Sequence, residues 1–160
     1  MKYKHLLLVA FLLPILSGCN NSDDVARIFL DKTWQLTDIL EGNSSSDYWN
    51  GNKEAKEASL KLIGVGDNFT ITFTGTVDGN SISGALSGKA TSTTYTGNWR
   101  ANGEKNTFIS SANPITDRDV LGRAFLDALN HATSYSGDEN NLYIYFKEGQ
   151  RTKRLLLHVQ

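Results

Sequence analysis

The chain opens with an apolar run over residues 6–16, behind a short basic start at Met1-Lys2-Tyr3-Lys4. Crossing a bilayer core takes roughly twenty apolar residues, so this shorter run reads as the h-region of a secretion signal. The pattern then changes. Val25, Ile28 and Phe29 fall at helical spacing within residues 23–32, predicting a short N-terminal helix with acids in its first turn. Trp34 and Leu36 alternate with Gln35 and Thr37, predicting a first strand over 33–40 in which Asp38 continues the Trp34 face. Residues 41–53 are polar apart from Tyr48 and Trp49 and predict a loop. Residues 55–63 carry both signals: Lys-Glu-Ala favours helix, while Leu60 and Leu62 favour strand.

From Asp67 the period becomes two. Phe69, Ile71 and Phe73 alternate with Thr70, Thr72 and Thr74, a half-buried strand. Val77-Asp78-Gly79-Asn80 predicts a hairpin turn, since Asp-Gly tolerates positive φ. Residues 81–87, 93–101 and 106–111 give three more strands, with Asn102-Gly103 turning between the last two. Residues 115–132 predict a long helix. Thr116 caps it, Asp117 and Asp119 sit in its first turn, and Val120, Leu121, Ala124, Phe125, Ala128 and Leu129 share a face. Leu142-Tyr143-Ile144-Tyr145-Phe146, a turn at Glu148-Gly149-Gln150, and residues 154–159 form a final hairpin. The predicted fold class is α+β: a mostly antiparallel β-sheet meander with one long helix packed on it, preceded by the short N-terminal helix. The predicted core holds Trp34, Leu36, Phe69, Ile71, Phe73, Leu121, Phe125, Leu129, Tyr143 and Leu156.

Leu16-Ser17-Gly18-Cys19 resembles a lipobox. Small residues before the cysteine admit the signal peptidase, and the thiolate of Cys19 is the nucleophile that takes a diacylglycerol. The expected organisation is a signal peptide over 1–18, a lipidated tether over 19–24 and one domain over 25–160. Several acyl chains hold a protein on a bilayer where one does not. The expected location is the bacterial outer membrane, lipid-anchored, with the rest of the chain in water. Asn20 is not the aspartate that retains lipoproteins in the inner membrane. Ser22-Asp23-Asp24 resembles a surface-export signal of lipoproteins in some Gram-negative anaerobes, against the simpler reading of a polar tether. Cys19 is the only cysteine, so no internal disulfide forms although the compartment would permit one.

From Cys19 to Gln160 the chain is 142 residues long, the size of one domain. Setting Lys2 and Lys4 aside leaves 14 basic against 17 acidic residues, a formal charge of −3. No basic run remains, which argues against nucleic acid.

The order of these elements resembles the META domain of heat-inducible HslJ-like lipoproteins. Trp34-Gln35-Leu36 matches its opening strand, and Ile82-Ser83-Gly84 through Tyr95-Thr96-Gly97 to Asn102-Gly103 and Thr107-Phe108 its Gly-rich meander. Phe125-Leu126-Asp127-Ala128-Leu129 matches its helix. Tyr135, Leu142-Tyr143-Ile144-Tyr145, Gly149 and Leu155-Leu156-Leu157 match its final hairpin. Gly88-Lys89-Ala90 stands where that family often has Gly-Cys-Asn. The resemblance implies a fold and an envelope location, and no catalytic residues.

Candidate chemistry is sparse. His131 ends the long helix and His158 lies in the last strand, neither with a second ligand at metal spacing. Gly79-Asn80-Ser81-Ile82-Ser83 lacks the last glycine of a nucleophile elbow. Capping explains Asp117 and Asp119, a turn explains Gly64-Val65-Gly66, and a hairpin explains Asp138, Glu139 and Asn140 better than calcium does. No enzyme, cofactor or metal is expected. Tyr48 and Trp49 are the candidate ligand or partner contact, suited to stacking on a sugar or a partner protein. The competing reading makes Trp49 a plug on one end of the sheet. The expected function is a non-enzymatic envelope lipoprotein that binds or scaffolds another envelope component, a protein or a glycan, the alternative a glycan- or small-ligand-binding surface lipoprotein.

Overall fold

The computed structural model describes residues 21–160, with side chains from Asp24 onward. The signal peptide, the lipobox, Cys19 and Asn20 lie outside the described residues. A helix, α1 (Asn21–Phe29), is followed by a strand, β1 (Thr33–Glu41), that pairs with the chain at two far-apart places. The others in order are β2 (Ser44–Ser45), α2 (Lys53–Leu60), β3 (Thr70–Asp78), β4 (Ser81–Lys89), β5 (Thr94–Asn102), β6 (Thr107–Asn113), α3 (Val120–Asn130), β7 (Ala132–Gly137), β8 (Asn141–Glu148) and β9 (Arg151–Val159). Every strand pairing is antiparallel, and each strand from β3 to β9 pairs with the next. Trp34 of β1 lies opposite Ile71 of β3 and also opposite Val159 of β9, so the sheet closes on itself.

The expectation of a sheet with one long helix packed on it is therefore corrected. The molecule is an eight-stranded antiparallel barrel with β2 added beside β1, and its helices are short. Closure removes the sheet edges that an open meander would expose. The helices lie at the barrel mouths. At one, the tips of the β3–β4, β5–β6 and β7–β8 hairpins gather around α1: Arg27 reaches Glu139 at 3.1 Å, and Lys32 Nζ donates to its carbonyl at 3.0 Å. At the other, α2 and α3 sit above the start of β3, where Phe125 meets Phe69 edge-on.

Helix α1 begins at Asn21, two residues ahead of the predicted 23–32 helix and inside the expected 19–24 tether. Val25 and Phe29 drop into the barrel, and Phe29 is fully buried. Its ring stacks parallel to Phe108 at 5.4 Å and meets Phe73 and Tyr135 edge-on at 5.1 and 4.9 Å. Such pairs each add about 0.5–1.5 kcal/mol beyond burial. α1 is thus part of the core.

The glycines of the meander have a packing reason. Gly84 and Gly88 of β4 lie opposite Trp99 and Tyr95 of β5. Those aromatics cross β4 to reach β3: Trp99 Nε1 donates to the Thr74 carbonyl at 3.0 Å, and the Tyr95 hydroxyl to the Thr70 carbonyl at 2.7 Å. A methyl group on Gly88 would stand 2.7 Å from the Tyr95 hydroxyl and 1.9 Å from the Thr70 oxygen.

Two parts of the predicted core change face. Tyr143 and Leu156 are opposite each other on the outer face, half-buried, while Leu142, Ile144, Phe146, Leu155 and Leu157 point inward. In β1 a bulge between Leu36 and Asp38 inserts one residue, so Ile39 and not Asp38 continues the inner face. The other eight predicted core residues are buried.

Candidate functional site

The mouth opposite α1 holds a network of polar side-chain bonds that ties α2, α3 and the β4–β5 loop together. The long predicted helix starts late, at Val120, because Asp119 is its N-cap and accepts from the Leu121 and Gly122 amides at 2.9 and 3.1 Å. Asp117, expected in the first helical turn, instead ties down the β4–β5 loop. It accepts from the amides of Thr91, Ser92 and Thr93 at 3.1, 3.0 and 3.0 Å and from the Thr91 hydroxyl. Burial pushes its carboxyl up. The Thr91 hydroxyl and the Asp119, Thr91 and Ser92 amides outweigh that and hold it at about 2.

Trp49 belongs to this network. It is 7% exposed; its Nε1 donates to Ser59 Oγ at 2.9 Å, and Ser59 Oγ donates to Asp119 Oδ2 at 2.7 Å. The indole therefore locks α2 to the N-cap of α3, the plug reading. Tyr48 is half-buried, with its hydroxyl enclosed and without a hydrogen-bond partner. Burial, then the Glu148 charge, push that phenol up. Lys153 Nζ sits 4.3 Å from the Tyr48 ring centroid and is itself 4% exposed, held by Glu148 and, at 3.9 Å, by Glu41. The 41–53 segment is an ordered wall, with β2 paired to Leu40 and Glu41.

Behind that wall lies a cleft of about 400 Å³. Asp38 and Ile39 of β1 form one side with Ser45 and Ser46, Lys56 and Leu60 of α2 the other, and Trp49 and Leu121 complete it. A shallower depression of about 230 Å³ runs over the outside of β5 and β6 between Arg100 and Ile109 and offers a single charge. A third, of about 250 Å³, lies against α1 beside Asp24 and Tyr135.

Among the described residues, no group of three His, Cys, Asp or Glu side chains is placed to hold a metal ion. His131 Nδ1 lies 2.9 Å from the Asp127 carbonyl at the end of α3, and His158 Nδ1 lies 3.2 Å from Asn141 Oδ1. Asp138 accepts from the Asn140 and Asn141 amides at 2.7 and 2.9 Å, closing the β7–β8 turn. No helix of the described residues is long and apolar enough to cross a membrane.

The model of a family described as a domain of unknown function, DUF4847, matches residues 20–159. The chain belongs to the DUF4847 family. A crystal structure of a DUF4847 family protein from Bacteroides vulgatus ATCC 8482 is 26% identical, with a TM-score of 0.62 over 84% of this chain and 96% of that one. No curated protein matches. Of the two contact residues that sequence singled out within this DUF4847 barrel, Tyr48 and Trp49, the fold makes Trp49 a strut and leaves Tyr48 half-buried. Asp38 and Lys56 were missed as a pair, because the bulge in β1 and the α2 turn that bring them to one cleft leave no periodic signal.

Proposed function

We propose that this DUF4847 protein is a non-enzymatic, lipid-anchored binding module of the bacterial outer membrane, held through Cys19 and working through the mouth opposite α1. One observation carries the reading: α1 starts two residues after Cys19 and is plugged into the barrel core through Val25 and Phe29. An acyl anchor at Cys19 would thus be coupled to a rigid body, not to a loose tether, and would hold the α1 mouth near the bilayer. The α2–α3 mouth, with its cleft, would face away from it. The lipobox Leu16-Ser17-Gly18-Cys19 supplies the chemistry of the anchor.

Cell fractionation of Cys19→Ser tests this. The expected outcome is a chain released from membranes or left with its signal uncut. Normal processing with unchanged membrane attachment overturns it. The surface reading of Ser22-Asp23-Asp24 is tested by replacing both acids with Ala. The wild type should be cut by protease added to intact cells, and the variant should resist.

A further inference from the structure

The cleft at the α2–α3 mouth holds two opposite charges that do not meet each other. Among the described residues neither Asp38 nor Lys56 enters an ion pair. Asp38 accepts from the Ile39 amide at 2.7 Å on one oxygen and from Ser45 Oγ at 2.6 Å on the other. Each carboxylate oxygen has two lone pairs, so both keep accepting capacity. Lys56 Nζ lies 5.5 Å from the centroid of the Trp49 ring. That contact steadies the ammonium but takes none of its N–H donors from a polar acceptor. Ser46, on the same wall, is 5% exposed, and its hydroxyl is turned away from the cleft towards the Tyr48 hydroxyl. Leu60 and Leu121 supply apolar surface next to these groups, and Leu60 is 43% exposed.

We infer that this cleft binds a small zwitterion, an aliphatic α-amino acid. Its ammonium pairs with Asp38, its carboxylate with Lys56, and its side chain covers Leu60 and Leu121. The volume of about 400 Å³ lies at the small end of ligand sites. Fixed charges in a partly dehydrated cleft attract more strongly than in water. A ligand with one charge leaves the other protein group to lose water uncompensated, so both charges are needed together. A sugar fits less well, because Trp49 is 7% exposed and carries Lys56 over its ring, leaving little face for stacking. The inference rests on reading the protein as a binding module. It does not depend on the anchor at Cys19, so failure of either test leaves the other standing.

The experiment is calorimetric titration of the protein purified from its own cells, with L-valine, isobutylamine, isovalerate and methyl glucoside as probes. Valine should bind, and the amine and the acid should each bind at least about tenfold more weakly, a difference of about 1.4 kcal/mol. Lys56→Met should lose at least about tenfold in valine affinity at unchanged melting temperature, since the substitution keeps the Lys56 amide bond to the Asn52 carbonyl and the Lys56 ammonium makes no hydrogen bond among the described residues. Asp38→Asn, which keeps an oxygen for the Ile39 amide, should lose affinity similarly. No valine binding, equal binding of either single-charge analogue, methyl glucoside binding in its place, or wild-type affinity in Lys56→Met overturns the inference.

Discussion

Asn130 pairs with Ala112 as a neighbouring strand would. Its Oδ1 accepts from the Ala112 amide at 3.1 Å, and its Nδ2 donates to the Ala112 carbonyl at 3.2 Å. The barrel needs this because β6 and β7 meet at a single residue pair, Thr107 and Ser134. Beyond it α3 wedges between them, and one side-chain amide at its C-terminal end completes the ladder. Ser110 adds a second tie, donating to the Leu129 carbonyl at 2.6 Å.

Asn130→Leu keeps the size and removes the pairing. Leaving a buried backbone group unpaired costs about 1–3 kcal/mol, and the urea midpoint should fall accordingly. An unchanged midpoint would mean that water replaces the amide at no cost.

Trp49→Ala should destabilise the domain by about 3–5 kcal/mol, the range for emptying a buried aromatic site. Ser59 and Asp119 lose their third member, so α2 should also become more open to hydrogen exchange than β8. The check is thermal melting with exchange mass spectrometry. A melting temperature within a degree or so of wild type would return Trp49 to the status of a surface contact.

Asp117 predicts an acid limb. The Thr91 hydroxyl and the surrounding amides hold its folded carboxyl at about 2, below the ordinary carboxylate range. A depressed folded value gives stability that is full above the unfolded value and fades as pH falls from about 4 through about 2. Asp117→Asn should be less stable near neutrality and show a flatter decline over that window. Parallel wild-type and variant curves would show that Asp117 is not a source of the limb.

Gly88→Ala should cost more than the usual 1–3 kcal/mol of overpacking, since the added methyl meets the Thr70 backbone oxygen as well as the Tyr95 hydroxyl. Tyr95→Phe combined with it should recover only the part owed to the hydroxyl. Chemical denaturation of both variants separates the two clashes. A Gly88→Ala protein of wild-type stability would show that β3 and β4 part easily there.

Local pattern determined a good deal of this protein. The alternation of Ile71 and Phe73 with Thr72 and Thr74, the turn at Gly79 and the Val25–Phe29 spacing each report backbone geometry within a few residues, and the fold keeps all three; Phe69 is buried but stands just before β3 at φ +54°, with Thr70 buried beside it, so the predicted alternation begins later than expected. Period and parity are separate matters. Leu142-Tyr143-Ile144-Tyr145-Phe146 is apolar at every position, so nothing local says which parity faces inward. Register with β9 and the barrel lumen chose Leu142, Ile144 and Phe146. Closure is likewise a property of first and last strands: Trp34 opposite Val159 joins residues 125 apart, and no window of sequence contains both. The same holds for function. Trp49 carried a visible signal, yet whether an indole is a surface contact or a strut depends on Ser59 and Asp119 arriving beside it. Asp38 and Lys56 carried none, because two solvated charges become a site only when β1 and α2 leave them facing one space unpaired.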